Sequence, residues 1–98
     1  MISVVVVIDN YTNEYISDDE WGRLLQSSFQ VLRDIGNIRF SGKRFESDAM
    51  DLWRQHCWII DSPLTSRKVK KCLSPLQERY KDHVFISIGK SIQGDQHA

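Results

Sequence analysis

Ile2-Ser3-Val4-Val5-Val6-Val7-Ile8-Asp9 is the stretch on which the fold turns. Its apolar side chains are all β-branched, a type that crowds a helix and suits an extended, pleated backbone. An apolar run of this length without polar alternation reads as a strand covered on both faces, hence central in its sheet. Asp9-Asn10-Tyr11-Thr12-Asn13 then ends it with turn-forming polar residues.

The elements that follow are read outward from that strand. Ser17-Asp18-Asp19-Glu20 has the S-x-x-E form of a capping box, with acids suited to the positive end of a helix. Behind it Trp21, Leu24, Leu25, Phe29, Leu32 and Ile35 recur along one helical stripe, and Gly36 stands where a left-handed C-terminal cap would. Ile38-Arg39-Phe40-Ser41 alternates apolar and polar, as a half-exposed strand does. Gly42 to Met50 is polar and reads as a long hairpin connection. Leu52 to Ile60 reads as the next strand, carrying Trp53, Trp58, Ile59 and Ile60, and Asp61-Ser62-Pro63 closes it. Thr65 or Ser66 caps a second helix, with Val69, Cys72, Leu73 and Leu76 on one face. Pro75 is expected to stop that helix near Ser74, leaving a turn through Tyr80. Val84 to Ile88 is a last strand, ended by Gly89, and residues 90–98 are expected to form a flexible tail.

The order is β-α-β-β-α-β. Two interleaved β-α-β units with right-handed crossovers give a ferredoxin-like α+β domain, a four-stranded antiparallel sheet with two helices on one face. At 98 residues the chain holds one core, so residues 1–98 form a single domain. No stretch is long and apolar enough to span a membrane, and the apolar opening lacks the basic leader of a signal peptide, so a cytoplasmic location is expected. Cys57 and Cys72 form no CxxC pair and read as small buried hydrophobes. Net charge is zero, but residues 1–36 carry six acids against Arg23 and Arg33, and the remainder carries eleven bases against seven acids. That split suits a molecule meeting nucleic acid, or another protein, through one face.

Asp9 is the foremost candidate for chemistry. A carboxylate at the end of a central strand can hold a divalent metal, magnesium in particular, or share one with a second copy; the plainer reading is that Asp9 and Asn10 start a turn. His56 and Asp61 lie five apart and point to opposite faces, so they form no acid–base pair. No Ser-His-Asp set, nucleophile elbow, P-loop or glycine-rich dinucleotide turn occurs. Arg67, Lys68, Lys70 and Lys71 make the second helix basic, and Lys43, Arg44 and Arg54 extend the positive surface along the hairpin. These residues either track phosphates or form a solvated face. Phe40, Phe45 or Trp53, if exposed on the open sheet face, would offer a base-stacking platform, although the aromatic consensus of RNA-recognition strands is missing. Three tryptophans exceed the needs of one small core, which favours a homodimer through the sheet or its last strand.

Three segments carry a resemblance to a known family: Val4-Val5-Val6-Val7-Ile8-Asp9, Cys57-Trp58-Ile59-Ile60-Asp61-Ser62-Pro63-Leu64-Thr65 and Val84-Phe85-Ile86-Ser87-Ile88-Gly89. They resemble the first, third and fourth strands of the small Cas-type CRISPR adaptation nucleases and their SinR-like and GhoS-like relatives. The resemblance implies a dimeric ferredoxin-like protein acting on or near nucleic acid, RNA or DNA, with Asp9 as the metal-associated catalytic residue. Asn13, Glu14 and an acidic helix start stand where that family has basic residues. The expectation is a small nucleic-acid-associated protein, as a magnesium-dependent endonuclease or RNase of a CRISPR or toxin–antitoxin type system, with Arg39, Lys43 or Arg54 on the backbone, or as a non-catalytic binder. The alternative is an inhibitor, immunity or antitoxin protein that covers a protein partner with Asp18, Asp19, Glu20 and Trp21.

Overall fold

The computed structural model describes residues 1–10, 16–46 and 54–90. Strand β1 (Ile2–Asp9) leads to helix α1 (Asp18–Ile35), strands β2 (Asn37–Glu46) and β3 (Arg54–Ser62), helix α2 (Ser66–Arg79) and strand β4 (Val84–Lys90). All neighbouring strands are antiparallel, in the order β2-β3-β1-β4, which is the ferredoxin-like α+β arrangement.

β1 is central, as its composition requires, but only one of its faces is covered. Val4, Val6 and Ile8 are fully buried, whereas Val5 and Val7 are half-buried. The covered face packs with Trp58 and Ile60 of β3, with Trp21, Leu24, Leu32 and Ile35 of α1, and with Val69, Leu73 and Leu76 of α2. Both helices lie on that side, so the side chains of the opposite parity form an open face. Trp21 and Trp58 are core residues and no surplus; Trp53 lies outside the described residues.

α1 begins as its capping box dictates, with Ser17 Oγ accepting from the Glu20 amide at 3.2 Å. Its buried series is Trp21, Leu24, Ser28, Leu32 and Ile35. The fourth-residue step from Leu24 lands on Ser28, which displaces Phe29 from the stripe to an exposed position beneath the Arg33 guanidinium. Gly36 is not a left-handed cap: its φ of 175° is extended backbone. It is needed for a close approach, because a Cβ there would lie 2.9 Å from the Ser62 Cα and press on the Asp61 carbonyl. Ser62, buried and inside β3, donates to the Ile35 carbonyl and locks the same corner.

Three further expectations are corrected. α2 runs unbroken from Ser66 to Arg79 through Pro75, capped by Thr65. Pro75 sits on the exposed side one turn after Lys71, where water can replace the hydrogen bond the Lys71 carbonyl loses. Cys72 is exposed, while Cys57 is buried as expected; both thiols are unpaired. β2 continues through Gly42 to Glu46, past the point where a polar connection is expected. Residues 11–13 of the first turn, 47–50 of the connection, Leu52 and the segment 91–98 lie outside the described residues, and Lys90 belongs to β4.

Two glycine replacements separate entropy from packing. Gly22→Ala, at an exposed helical site with nothing within 4 Å of the added Cβ, is expected to raise stability by about 0.5–1 kcal/mol. Gly36→Ala should lower it by about 1–3 kcal/mol through overpacking. Urea unfolding of the two variants would show opposite shifts of midpoint; equal shifts would disprove the close approach at Gly36.

Candidate nucleic-acid interface

The pairing of β2 with β3 decides what stands on the open face. Ile38 pairs with Ile60, but Phe40 pairs with Ile59, so the register shifts between them. Ile60 faces the helices and Ile59 does not. The bulge therefore turns Phe40 away from the side of Ile38, which strict alternation would give it, and onto the open face. Phe40 is 48% exposed there. Its ring tip passes over Gly42, where a Cβ would meet Phe40 Cζ at 3.2 Å, so the glycine leaves the ring its place.

Phe85 is the second aromatic on this face. It pairs with Val7, whose side is open, and is 52% exposed. Phe40 and Phe85 stand on the two edge strands with β3 and β1 between them, about 14 Å apart by strand spacing alone. Toward the Ser3 and Gly89 end of the face is a shallow depression of about 340 Å³, floored by Val5 and Ile59 and lined by Ser3, Ser87, Gly89, Arg39 and Lys90; neither phenylalanine lines it. The two cations approach it from opposite edges of the sheet.

Arg39, displaced with the bulge, is held to the same face. Its Nε donates to Asp61 Oδ2 at 3.0 Å and its Nη2 reaches Ser3 Oγ at 3.5 Å. Asp61 is buried and its second oxygen, Oδ1, has no partner among the described residues. Removing the guanidinium would leave that carboxylate buried and unpaired.

The remaining candidates fall elsewhere. Asp9 ends β1 on the open-face side, half-buried, and accepts from Gln55 Nε2 at 3.1 Å. Its backbone is tied to His83, whose carbonyl accepts from the Asp9 amide at 2.9 Å and whose Nδ1 donates to the Asp9 carbonyl at 2.8 Å. Asn10 bonds both backbone groups of Ile16 with its side chain, bracing the chain on either side of residues 11–15. Among the described residues no three His, Cys, Asp or Glu side chains converge as metal ligands.

Arg54 pairs with Asp18 at 2.9 Å and so fastens the start of β3 to the start of α1. Arg67, Lys68, Lys70 and Lys71 are exposed on α2, in the helix layer, on the opposite side of the molecule from the aromatic face. Lys43 pairs in register with His56 on the helix side of the hairpin, and Arg44 follows it in β2. His56 and Asp61 point to opposite faces, as their spacing requires. The structure thus brings Arg39 to the aromatics and separates it from the α2 cluster. Phe85 went unrecognised because an apolar residue in a last strand gives no sign of which face it takes until the pairing with Val7 is known, and Lys90 because the tail is expected to begin there.

Neither a protein-family model nor a curated protein sequence matches the chain.

On the helix side of the hairpin, His56 shares a hydrogen bond with Ser41 Oγ at 3.1 Å and lies 4.5 Å from the Trp58 ring centre. Burial, and then the Lys43 charge, push its pKa below the usual 6.5. The unfolded chain consequently binds a proton at this residue more readily than the folded one. Its contribution to stability is complete above about pH 6.5 and is lost as pH falls toward the folded-state pKa. Urea midpoints should fall between pH 7 and pH 5, and His56→Gln should flatten that slope; an unchanged slope would assign the pH dependence to other groups.

Proposed function

We propose that the protein binds single-stranded nucleic acid across its open sheet face. The observation that carries this reading is the open sheet face, which presents two half-exposed phenylalanines, Phe40 and Phe85, together with a depression lined by Arg39 and Lys90. Aromatic faces stack bases of any sequence, and cations beside them neutralise the backbone. Ser3 and Ser87 in the depression can exchange hydrogen bonds with sugar or base edges. Because the two rings stand on opposite edges of the sheet, they take bases that are not adjacent in the strand.

The pattern of the chain's strands, which resembles that of the small CRISPR adaptation nucleases and their SinR-like and GhoS-like relatives, agrees with a nucleic-acid role. In a catalytic version, as an endonuclease or RNase of a CRISPR or toxin–antitoxin type system, Asp9 serves a magnesium ion completed by phosphate, water or a second copy of the chain. The alternative, an inhibitor, immunity or antitoxin protein covering a protein partner with its acidic helix start, keeps Asp18 and Asp19 exposed but loses Trp21 to the core.

Fluorescence anisotropy with labelled twelve-nucleotide oligo(U) and oligo(dT) tests the proposal. Phe40→Ala and Phe85→Ala should each weaken binding roughly tenfold, within the range for loss of one base stack. Lys90→Ala should reduce the salt slope by about 0.7, the share of one phosphate contact on a single strand. Binding unaffected by either phenylalanine replacement would remove the open face from the interaction, and the absence of binding would remove the function. Asp9→Asn should leave affinity unchanged; magnesium-dependent cutting lost in that variant would establish the catalytic version.

A further inference from the structure

The two edges of the sheet are built differently. β2, at one edge, carries two register shifts, between Ile38 and Phe40 and between Lys43 and Phe45, and holds Arg39, Lys43 and Arg44 within a few residues. Bulges and charges are the devices by which an edge strand is made unfit to pair with another chain. β4, at the other edge, has none of them. It pairs with β1 over seven consecutive residues with no shift, contains no proline, and carries no charge before Lys90. Among the described residues β4 pairs with β1 alone, so its outer backbone groups form a straight row available to a further strand.

A groove runs beside that edge on the helix side. It has a volume of about 630 Å³ and is lined by Ser66, Lys70, Ser74 and Gln77 of α2 and by Ile86 and Ile88 of β4. The four α2 residues recur at steps of four, four and three, which makes them one stripe of the helix. Ile86 and Ile88 pair with Val6 and Val4, on the covered side of the sheet, yet both are only half-buried because α2 does not extend over them. An added strand would place alternate side chains in this groove, over the two isoleucines and beneath the polar stripe of the helix.

The charge around the groove selects the occupant. Lys70 lines it, Arg67 and Lys71 stand beside the stripe on α2, and Lys90 closes the strand, while Glu78, bonded to the groove's Ser74, is the one acid in α2 and β4. A second copy of the chain pairing β4 to β4 about a two-fold axis would bring two equally basic α2 helices to the same side of the joined sheet. Like charges so placed repel. From the unprotected edge, the half-covered isoleucines and the excess of bases over the single acid of α2 and β4, we infer that β4 and α2 form a docking site for an extended, acidic strand of another protein. Backbone hydrogen bonds supply the attachment, Ile86 and Ile88 take every second side chain, and Lys70 takes a carboxylate.

The site shares Lys90, at the end of β4, with the open face, which otherwise lies on the other side of the sheet. Two synthetic heptapeptides, matched to the length of β4, test it: one alternating valine with aspartate, the other alternating valine with lysine. Each is titrated into ¹⁵N-labelled protein and into Lys70→Glu, an exposed substitution that leaves the core untouched. The acidic peptide is expected to shift the amides of residues 84–90 together with those of Lys70 and Gln77, at one peptide per chain. Its affinity should fall at least tenfold in Lys70→Glu, which should take the basic peptide instead. No shifts at millimolar peptide, equal response to both peptides, or shifts centred on Phe40 and Ile59 would each overturn the inference. So would sedimentation showing a dimer that already protects the β4 amides without peptide, since a second copy would then be the occupant.

Discussion

β1 is hydrogen-bonded along both edges, eight residues against β3 and seven against β4, with no shift of register in either pairing. Because side chains alternate, this one register decides which residues of the sheet's centre go under the helices. Val4, Val6 and Ile8 fall opposite Ile60, Trp58 and His56 on one side and opposite Ile88, Ile86 and Val84 on the other. A slip of one residue would put Ser3, Asp9 and Asp61 in the core. The strand's end is secured as firmly as its middle. The backbone exchange between Asp9 and His83 and the bond from the Asn10 amide to the Arg54 carbonyl hold the ends of three strands together. Since both helices cover the same face, the register also produces an open face of Val5, Val7 and Ile59. An apolar surface rimmed by charge on a small domain marks a place of contact.

β2 departs from the regularity that β1 imposes, and the departure has a consequence for the surface. Without the bulge before Phe40, that ring would point with Ile38 toward the helices, and Arg39 would stand alone on the open face. With it, a cation and an aromatic ring are adjacent on one side of the strand. The local distortion is supported by the pair from Arg39 to Asp61, which ties the displaced residue across β3, and by the missing side chain at Gly42. Deleting either support frees the ring to turn.

The element order, the strand in which Asp9 sits, the cap of α1 and the central place of β1 were all legible in the sequence, since each depends on local chemistry or on a strong periodicity. What escaped was decided by contacts between elements. Gly36 has the appearance of a helix cap, and only the proximity of Asp61 and Ser62 gives it another purpose. Pro75 ordinarily ends a helix, yet packing of Val69, Leu73, Leu76 and Tyr80 on the far side outweighs one missing hydrogen bond. Ser28 takes a core position that composition would assign to Phe29. For the interface, Arg39 and Phe40 were visible as candidates but not as neighbours, because a bulge leaves no signature in four residues of regular alternation. Phe85 carried no mark of its exposure.

The zero net charge conceals a spatial division that the chain order only suggests. The acids of the first third are partly engaged within the fold, while Asp19 and Asp34 remain exposed. Asp18 is spent on Arg54, and Glu20 is shared between Arg23 and the Tyr80 hydroxyl, so the start of α1 is stitched to β3 and to the end of α2. The bases of the remainder lie on separate surfaces. Arg39 and Lys90 border the open face, Lys43 stands beside His56 on the hairpin, and Arg67, Lys68, Lys70 and Lys71 lie along the outside of α2. Screening confines the influence of an exposed charge to about 8–10 Å at ordinary salt, less than the width of the sheet. Each cluster therefore acts on what lies next to it: phenyl rings and an apolar floor on one side, an unprotected strand edge on the other. On the two proposals made above, the same type of side chain would serve a nucleic-acid backbone in the first setting and a carboxylate in the second, and the neighbouring groups make the distinction.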